Sequence, residues 1–343
     1  MPTVSIVVPC YNYGHFVTEC VTSLLANTTA DLDILVVDDA SPDDSWAVVE
    51  RLPRLDRRIR VHRNEHNRGL ISTANDAIVA ATGDYIVLLS ADDALAPGWL
   101  DRGVSFLEFN RDSVLAYGPT RRFRKTLPTL HVKRRVRPFV YAGHDWIEQS
   151  CGRGVTPILS PEVIVRRSAQ HEVGGYRREL PFSSDMEMWL RLASIGDVVR
   201  VAGPVAAFYR VSEQSMSRDI YLDLLRELEV RRDAFDAWYR FADGYVPDRD
   251  GLMTAARRSL ARRAVRRACA AYLQDPIGAQ FDSVCKFAVD NDPAWAVQPV
   301  SRLRAVASHD SARRVRDRLL PVTKLGTTAR RAASDVRARL HVI

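Results

Sequence analysis

The chain has 343 residues, 46% hydrophobic and 27% charged, which suits a soluble globular protein built of two units rather than one core. No run of eighteen apolar residues occurs, which excludes a hydropathic membrane span, and five scattered cysteines without a CxxC or zinc spacing fit reduced thiols. The net charge of +7 is uneven: residues 301–343 hold eleven Lys/Arg against three Asp, so the remaining 300 residues carry a balance of −1 and the basicity gives no ground for nucleic-acid binding.

Met-Pro-Thr leads directly into Val4–Val8, a β-branched apolar run that predicts a buried strand rather than a cleavable leader, and hence a cytoplasmic chain. Val17, Val21, Leu24 and Leu25 then share one helical face, and Ile34–Val37 predicts the second strand. Ser41-Pro42-Asp43-Asp44 predicts a helix start, with a serine cap, a proline in the first turn and acids near the positive end of the dipole. A third strand is expected over Ile59–His62, an alanine-rich helix over Ile71–Ala81, a fourth strand over Tyr85–Leu89, and a helix after Pro97. Val163–Val165 predicts a short strand, and Ser184–Ile195 a helix with Met188, Leu192 and Ile195 on one face. From about Tyr221 the pattern is helical, with a stripe of Leu224, Leu225, Leu228, Phe235 and Trp238 and another of Ala261, Ala264, Val265, Ala268 and Tyr272. The division expected is 1–217, a helical accessory region over 218–300, and a basic helical tail over 301–343.

Alternating strands and helices in the first 120 residues predict an α/β fold, a mainly parallel sheet flanked by helices. Ligands of such sheets bind outside the carboxyl ends of the strands. Three polar clusters fall there: Pro9-Cys10-Tyr11-Asn12, Asp38-Asp39-Ala40-Ser41 and Ser90-Ala91-Asp92-Asp93. The topology should bring them to one edge. Adjacent carboxylates at a strand end call for a cation.

The ordered pieces SIVVPCYN, ILVVDDASPDDS, HNRGLISTANDAI, GDYIVLLSADD and SSDMEMWLRLA, within residues 3–217, resemble the successive motifs of family 2 glycosyltransferases. That resemblance implies the GT-A fold and inverting transfer of a sugar from a nucleotide-diphosphate sugar, of the UDP type, to an acceptor hydroxyl. It implies that Asp39 accepts from the uracil imide between walls formed by Pro9 and Tyr11, and that Asn67 and Arg68 reach the nucleotide. Asp92 and Asp93 match the metal and ribose acids, serving Mn²⁺ or Mg²⁺ as a Lewis acid on the departing diphosphate. Asp185 matches the general base, with Glu187 as the spare candidate, and Arg210 the diphosphate clamp.

Several positions depart from the family pattern: Ala74 for an arginine, Ser90 for a third acid, Ser184 for a glutamate, and Ser212 for a histidine that could ligate metal. These keep a sugar-nucleotide-binding scaffold as an alternative to an enzyme. Nucleotidyl transfer is a further one, disfavoured by the lack of a glycine-rich phosphate loop. Partners expected are the sugar nucleotide and a glycan, lipid-linked, peptide or small-molecule acceptor. The basic tail, with Arg313, Arg314, Arg316 and Arg318, offers peripheral contact with an anionic membrane surface.

Overall fold

A computed structural model describes residues 2–27, 31–129, 135–212, 223–274 and 280–296. The expected boundary at residue 217 and the basic helical tail over 301–343 lie outside the described residues. The chain divides into two compact units, Met1–Gly143 with Ile158–Glu213, and His144–Pro157 with Gln214–Ile343.

The first unit opens with β1 (Thr3–Cys10), α1 (Gly14–Leu25), β2 (Asp31–Asp38), α2 (Ser45–Val49), β3 (Ile59–Arg63), α3 (Leu70–Val79) and β4 (Tyr85–Leu88). It continues through β5 (Ala94–Leu95), α4 (Trp99–Phe109), β6 (Ser113–Tyr117), β7 (Thr120–Phe123) and β8 (Arg137–Tyr141). The chain then forms α5 (Gly143–Arg153), most of which belongs to the second unit. Back in the first unit come β9 (Ile164–Arg166), α6 (Arg167–Val173), α7 (Ser184–Ile195), β10 (Asp197–Ala202) and β11 (Ala207–Arg210). The second unit adds α8 (Leu224–Phe241), α9 (Arg249–Gln274) and α10 (Gln280–Asn291).

An eight-stranded sheet runs β3-β2-β1-β4-β9-β6-β10-β8, and a three-stranded sheet runs β5-β11-β7. The four strands β3-β2-β1-β4 are parallel, as expected from the alternation of strands and helices. The short β9 runs antiparallel to both β4 and β6, and β8 closes the edge antiparallel to β10, so the sheet is mixed. Val4, Ile6 and Val8 on β1, Ile34 and Val36 on β2, and Tyr85 and Val87 on β4 join one core with Val17, Val21 and Leu24 of α1. Apolar burial of this kind contributes roughly 25 cal/mol per Å² and drives the sheet and helices together.

Pro9 sits in a central strand without breaking it. The β1–β4 ladder ends at Val7↔Leu88, so the missing N–H of Pro9 costs no bond on that side. The expected helix start at Ser41 is corrected: α2 begins at Ser45. Ser41 Oγ instead accepts from the Asn12 N–H at 3.0 Å, and its own N–H donates to Asp38 Oδ2 at 3.3 Å, with Ala40 at φ +55° between them. The serine spends its hydroxyl joining two strand ends rather than capping.

In the second unit, Asp223 caps α8 by accepting from the N–H groups of Leu225 and Arg226 at 2.9 and 3.0 Å. Leu228, Phe235 and Trp238 of α8 and Ala261, Ala264 and Val265 of α9 are fully buried, as the two apolar stripes require.

Asn75 on α3 clamps the segment before α7. Its Oδ1 accepts from Tyr176 N at 2.7 Å, and its Nδ2 donates to Tyr176 O at 2.8 Å. Gly175 is required for this approach, because a Cβ there would lie 2.8 Å from Asn75 Oδ1. Asn75→Ala should cost about 2 kcal/mol by removing two bonds and leaving peptide groups unpaired. Urea unfolding should show a lower midpoint with an unchanged m value.

Candidate active site

The carboxyl ends of β1, β2 and β4 do converge. Cys10 and Asp38 are register partners, the Asp39 N–H donates to Cys10 O at 2.9 Å, and Cys20 Sγ on α1 donates to Ser90 O at 3.6 Å. The sequence clusters therefore occupy one edge.

Asp39 is buried and its carboxylate is already well supplied with donors. Oδ1 accepts from Asn64 Nδ2 at 2.7 Å and from the Arg68 N–H at 2.9 Å, while Oδ2 accepts from the Gly69 N–H at 2.8 Å. Gly69 turns at φ +79° to deliver that N–H, a conformation glycine adopts without penalty. A carboxylate offers about four lone-pair sites, so roughly one remains for a ligand N–H. The loop after β3 thus preorganises Asp39, and Asn64 is a contributor that local sequence did not flag. Asn67 Oδ1 accepts from Gly69 N at 3.0 Å, which gives it a place in the turn. The Arg68 guanidinium pairs with Asp76 on α3. Both side chains are partly exposed, so the pair contributes about 0–1 kcal/mol. Tyr11, just beyond β1, is 43% exposed, and Pro9 in the strand is buried.

Asp92 and Asp93 are both buried. Ser90 Oγ donates to Asp92 Oδ1 at 2.5 Å, and the Arg210 N–H donates to Asp93 Oδ1 at 2.8 Å. Burial pushes the Asp92 carboxyl above its ordinary range, and burial with the Asp92 charge pushes Asp93 further still.

Arg210 does not present its guanidinium to an open cleft as a diphosphate clamp would. Only 3% exposed, the group lies between the rings of Phe16 and Phe123, 4.1 and 4.3 Å from their centroids. Its Nε donates to Asp92 O at 2.9 Å, its Nη1 to Lys125 O at 3.0 Å and Arg124 O at 3.3 Å, and its Nη2 pairs with Glu19. The residue is the frame of the acidic pair.

The positive charge of Arg210 is thus met by Glu19, while Arg210 meets the two acids through peptide groups. Two buried carboxylates that resist ionisation, with oxygen donors throughout, fit a hard divalent cation. Ser212, where a histidine was expected, lies beside the Tyr13 hydroxyl, itself raised to about 12 by burial and by the charge of Asp92. Among the described residues no group of three His, Cys, Asp or Glu could hold a metal.

Asp185 opens α7 and is half-buried. Its Oδ1 accepts from the Met186 N–H and its Oδ2 from Ser160 Oγ, each at 2.6 Å. Glu187 is no spare base. Fully buried, it accepts from Arg177 Nε at 2.7 Å and Arg191 Nε at 2.9 Å, and Arg191 continues to Gly175 O at 2.8 Å. Its carboxylate anchors α7 to the preceding loop.

Glu162 is the carboxyl that sequence reasoning missed. It is 1% exposed, and its Oε1 accepts from the Leu159 N–H at 2.9 Å. Oε2 faces Thr120 without a well-formed hydrogen bond. Burial raises this group to about 7, with a further push from Asp185, and Glu162 in turn raises Asp93. The available signal was an acid at the head of an apolar strand, Pro161-Glu162-Val163-Ile164-Val165.

The family model for glycosyl transferase family 2 matches residues 5–169. The chain is 26% identical over 233 residues to the UDP-Glc:alpha-D-GlcNAc-diphosphoundecaprenol beta-1,3-glucosyltransferase WfgD of Escherichia coli, covering 67% of this chain and 85% of that one. It spans only 19–36% of the length of the first four curated relatives it matches. Among solved structures, TarS 1-349 of S. aureus in complex with UDP-GlcNAc aligns at TM-score 0.64 and 16% identity, covering 92% of this chain and 90% of that one. The mannosyltransferase PcManGT from Pyrobaculum calidifontis, in complex with GDP-Man and Mn2+, aligns at 0.57 and 18%, covering 99% and 86%.

Glu162 makes stability depend on pH. The unfolded chain releases this proton near the ordinary 4.5, whereas the folded chain holds it to about 7. Its contribution is intact below the lower value, declines as pH rises between the two, and is flat above. Glu162→Gln removes that decline, so the variant should gain on the order of 3 kcal/mol on wild type between pH 4 and pH 8. Paired thermal melts at the two pH values check this: an unchanged difference between variant and wild type would refute the raised carboxyl.

Proposed function

Through residues 5–169 the chain belongs to glycosyl transferase family 2, with the fold of the GT-A enzymes, and on that premise we propose that it moves a sugar from a UDP-sugar to a hydroxyl of a glycan acceptor with inversion. The observation that carries the reading is the strand-end edge itself, where the buried Asp39, held by donors of the loop after β3, stands with the buried pair Asp92 and Asp93. The pair would take a cation, and Asp185, half-exposed at the start of α7, would take a proton. An inverting displacement needs both: charge relief for the departing diphosphate on one face of the sugar, and a proton acceptor on the opposite face.

Asp39, held by the Asn64-Arg68-Gly69 donors, receives an N–H of the base against Tyr11 and Pro9. Arg68 exchanges Asp76 for phosphate. Asp92 and Asp93 would hold Mn²⁺ or Mg²⁺, which would supply Lewis-acid neutralisation of the diphosphate. Asp185 takes the acceptor proton as the hydroxyl oxygen attacks the anomeric carbon. The name of WfgD makes a glycan on a lipid diphosphate the first acceptor class to test.

Thermal-shift measurements with Mn²⁺ and a panel of nucleoside diphosphates should show stabilisation by UDP; no shift from any of them defeats the reading. UDP release from UDP-sugars, with glycan acceptors added, should accompany it. Asp185→Asn should lose roughly 10²–10⁴-fold in turnover while melting like wild type, and an active variant removes Asp185 from the role. With only two carboxylates at the cation station, calorimetry should find Mn²⁺ binding weak alone and much tighter with UDP. Equal affinities would contradict a site completed by substrate.

A further inference from the structure

The turn between α5 and β9 carries an observation that the reaction scheme does not use. Ser160 adopts φ +91°, a backbone conformation rare for a residue with a Cβ and further opposed by the proline that follows it. Backbone strain of this kind costs on the order of 1–3 kcal/mol and persists only where surrounding structure enforces it. Two bonds do so. The Val163 N–H donates to Ser160 O at 3.1 Å, and the Leu159 N–H donates to the buried Glu162 Oε1 at 2.9 Å, so the turn is closed from both sides.

What the strained residue presents is a hydroxyl. Ser160 Oγ donates to Asp185 Oδ2 at 2.6 Å, while the other oxygen of that carboxylate accepts from the Met186 N–H at 2.6 Å. Two donors from two different elements fix the rotation of the Asp185 carboxylate, a short side chain that would otherwise turn freely at the helix end. A base whose lone pair is aligned before the acceptor arrives avoids that reorganisation during the reaction.

We propose that Ser160 is a positioning residue for Asp185, presented on a strained turn that Glu162 ties shut. This rests on the reading of Asp185 as the base. Ser160 does not touch the reacting atoms; it sets the angle at which the carboxylate meets the acceptor hydroxyl. Glu162 lends its buried oxygen to the turn, which accounts for a carboxyl kept where solvent cannot reach it.

Three variants of the full chain separate the possibilities: Ser160→Ala removes the hydroxyl and keeps the strain, Ser160→Gly removes both, and Asp185→Asn is the reference. Turnover is read as UDP release with the donor and acceptor that wild type uses, alongside thermal melting. Both Ser160 variants should lose about tenfold in kcat with the donor KM within about twofold of wild type. Ser160→Gly should also melt above wild type, because glycine adopts this φ without strain. Lower turnover in a more stable chain is not an effect of unfolding. Wild-type kcat in both Ser160 variants, beside an inactive Asp185→Asn, overturns the proposal and leaves the base in place. Melting of Ser160→Gly below wild type overturns it as well, since the serine would then serve stability. An active Asp185→Asn removes the premise itself.

Discussion

The acidic edge depends on one buried cation that does not neutralise it. Arg210 lies between Phe16 and Phe123, and its guanidinium binds the backbone carbonyls of Asp92, Arg124 and Lys125 while its charge is met by Glu19. A planar guanidinium suits this place, since it stacks on aromatic faces and directs several donors outward in its plane; a lysine ammonium could do neither. The arrangement locks the backbone of Asp92 and, through the Arg210 N–H, one oxygen of Asp93. It withholds a direct guanidinium–carboxylate pair from both. The two acids are thereby held in place without a guanidinium partner of their own.

The strands of the parallel half of the sheet were legible because buried parallel strands read as uninterrupted apolar runs: Val4–Val8 and Ile34–Val37 form where the runs lie, and the run Tyr85–Leu89 forms a strand that ends one residue earlier, at Leu88. Their convergence followed from topology alone. Legibility stopped where a side chain had a better distant partner than its local one. Ser41 has the signature of a cap, yet it bonds Asn12, and α2 begins four residues later. Arg210 resembles a clamp in its local motif, and nothing nearby in sequence announces Phe16, Phe123 or Glu19. Glu187 and Asp185 are two apart on one helix and look equivalent in sequence. Helical geometry turns them to different faces, one into a buried ion network with Arg177 and Arg191, the other toward Ser160.

The charge balance of the site explains why Glu162 belongs in it. Asp93 feels the charges of Asp92 and Glu162, and Glu162 that of Asp185, each raising the cost of ionising its neighbour in a medium of reduced dielectric. Burial is the larger cause in each case, and it pushes Asp92, Asp93 and Glu162 all above their ordinary range. Asp185 differs from these three in position, half-buried at the start of α7, where its two oxygens accept from the Met186 N–H and from Ser160 Oγ.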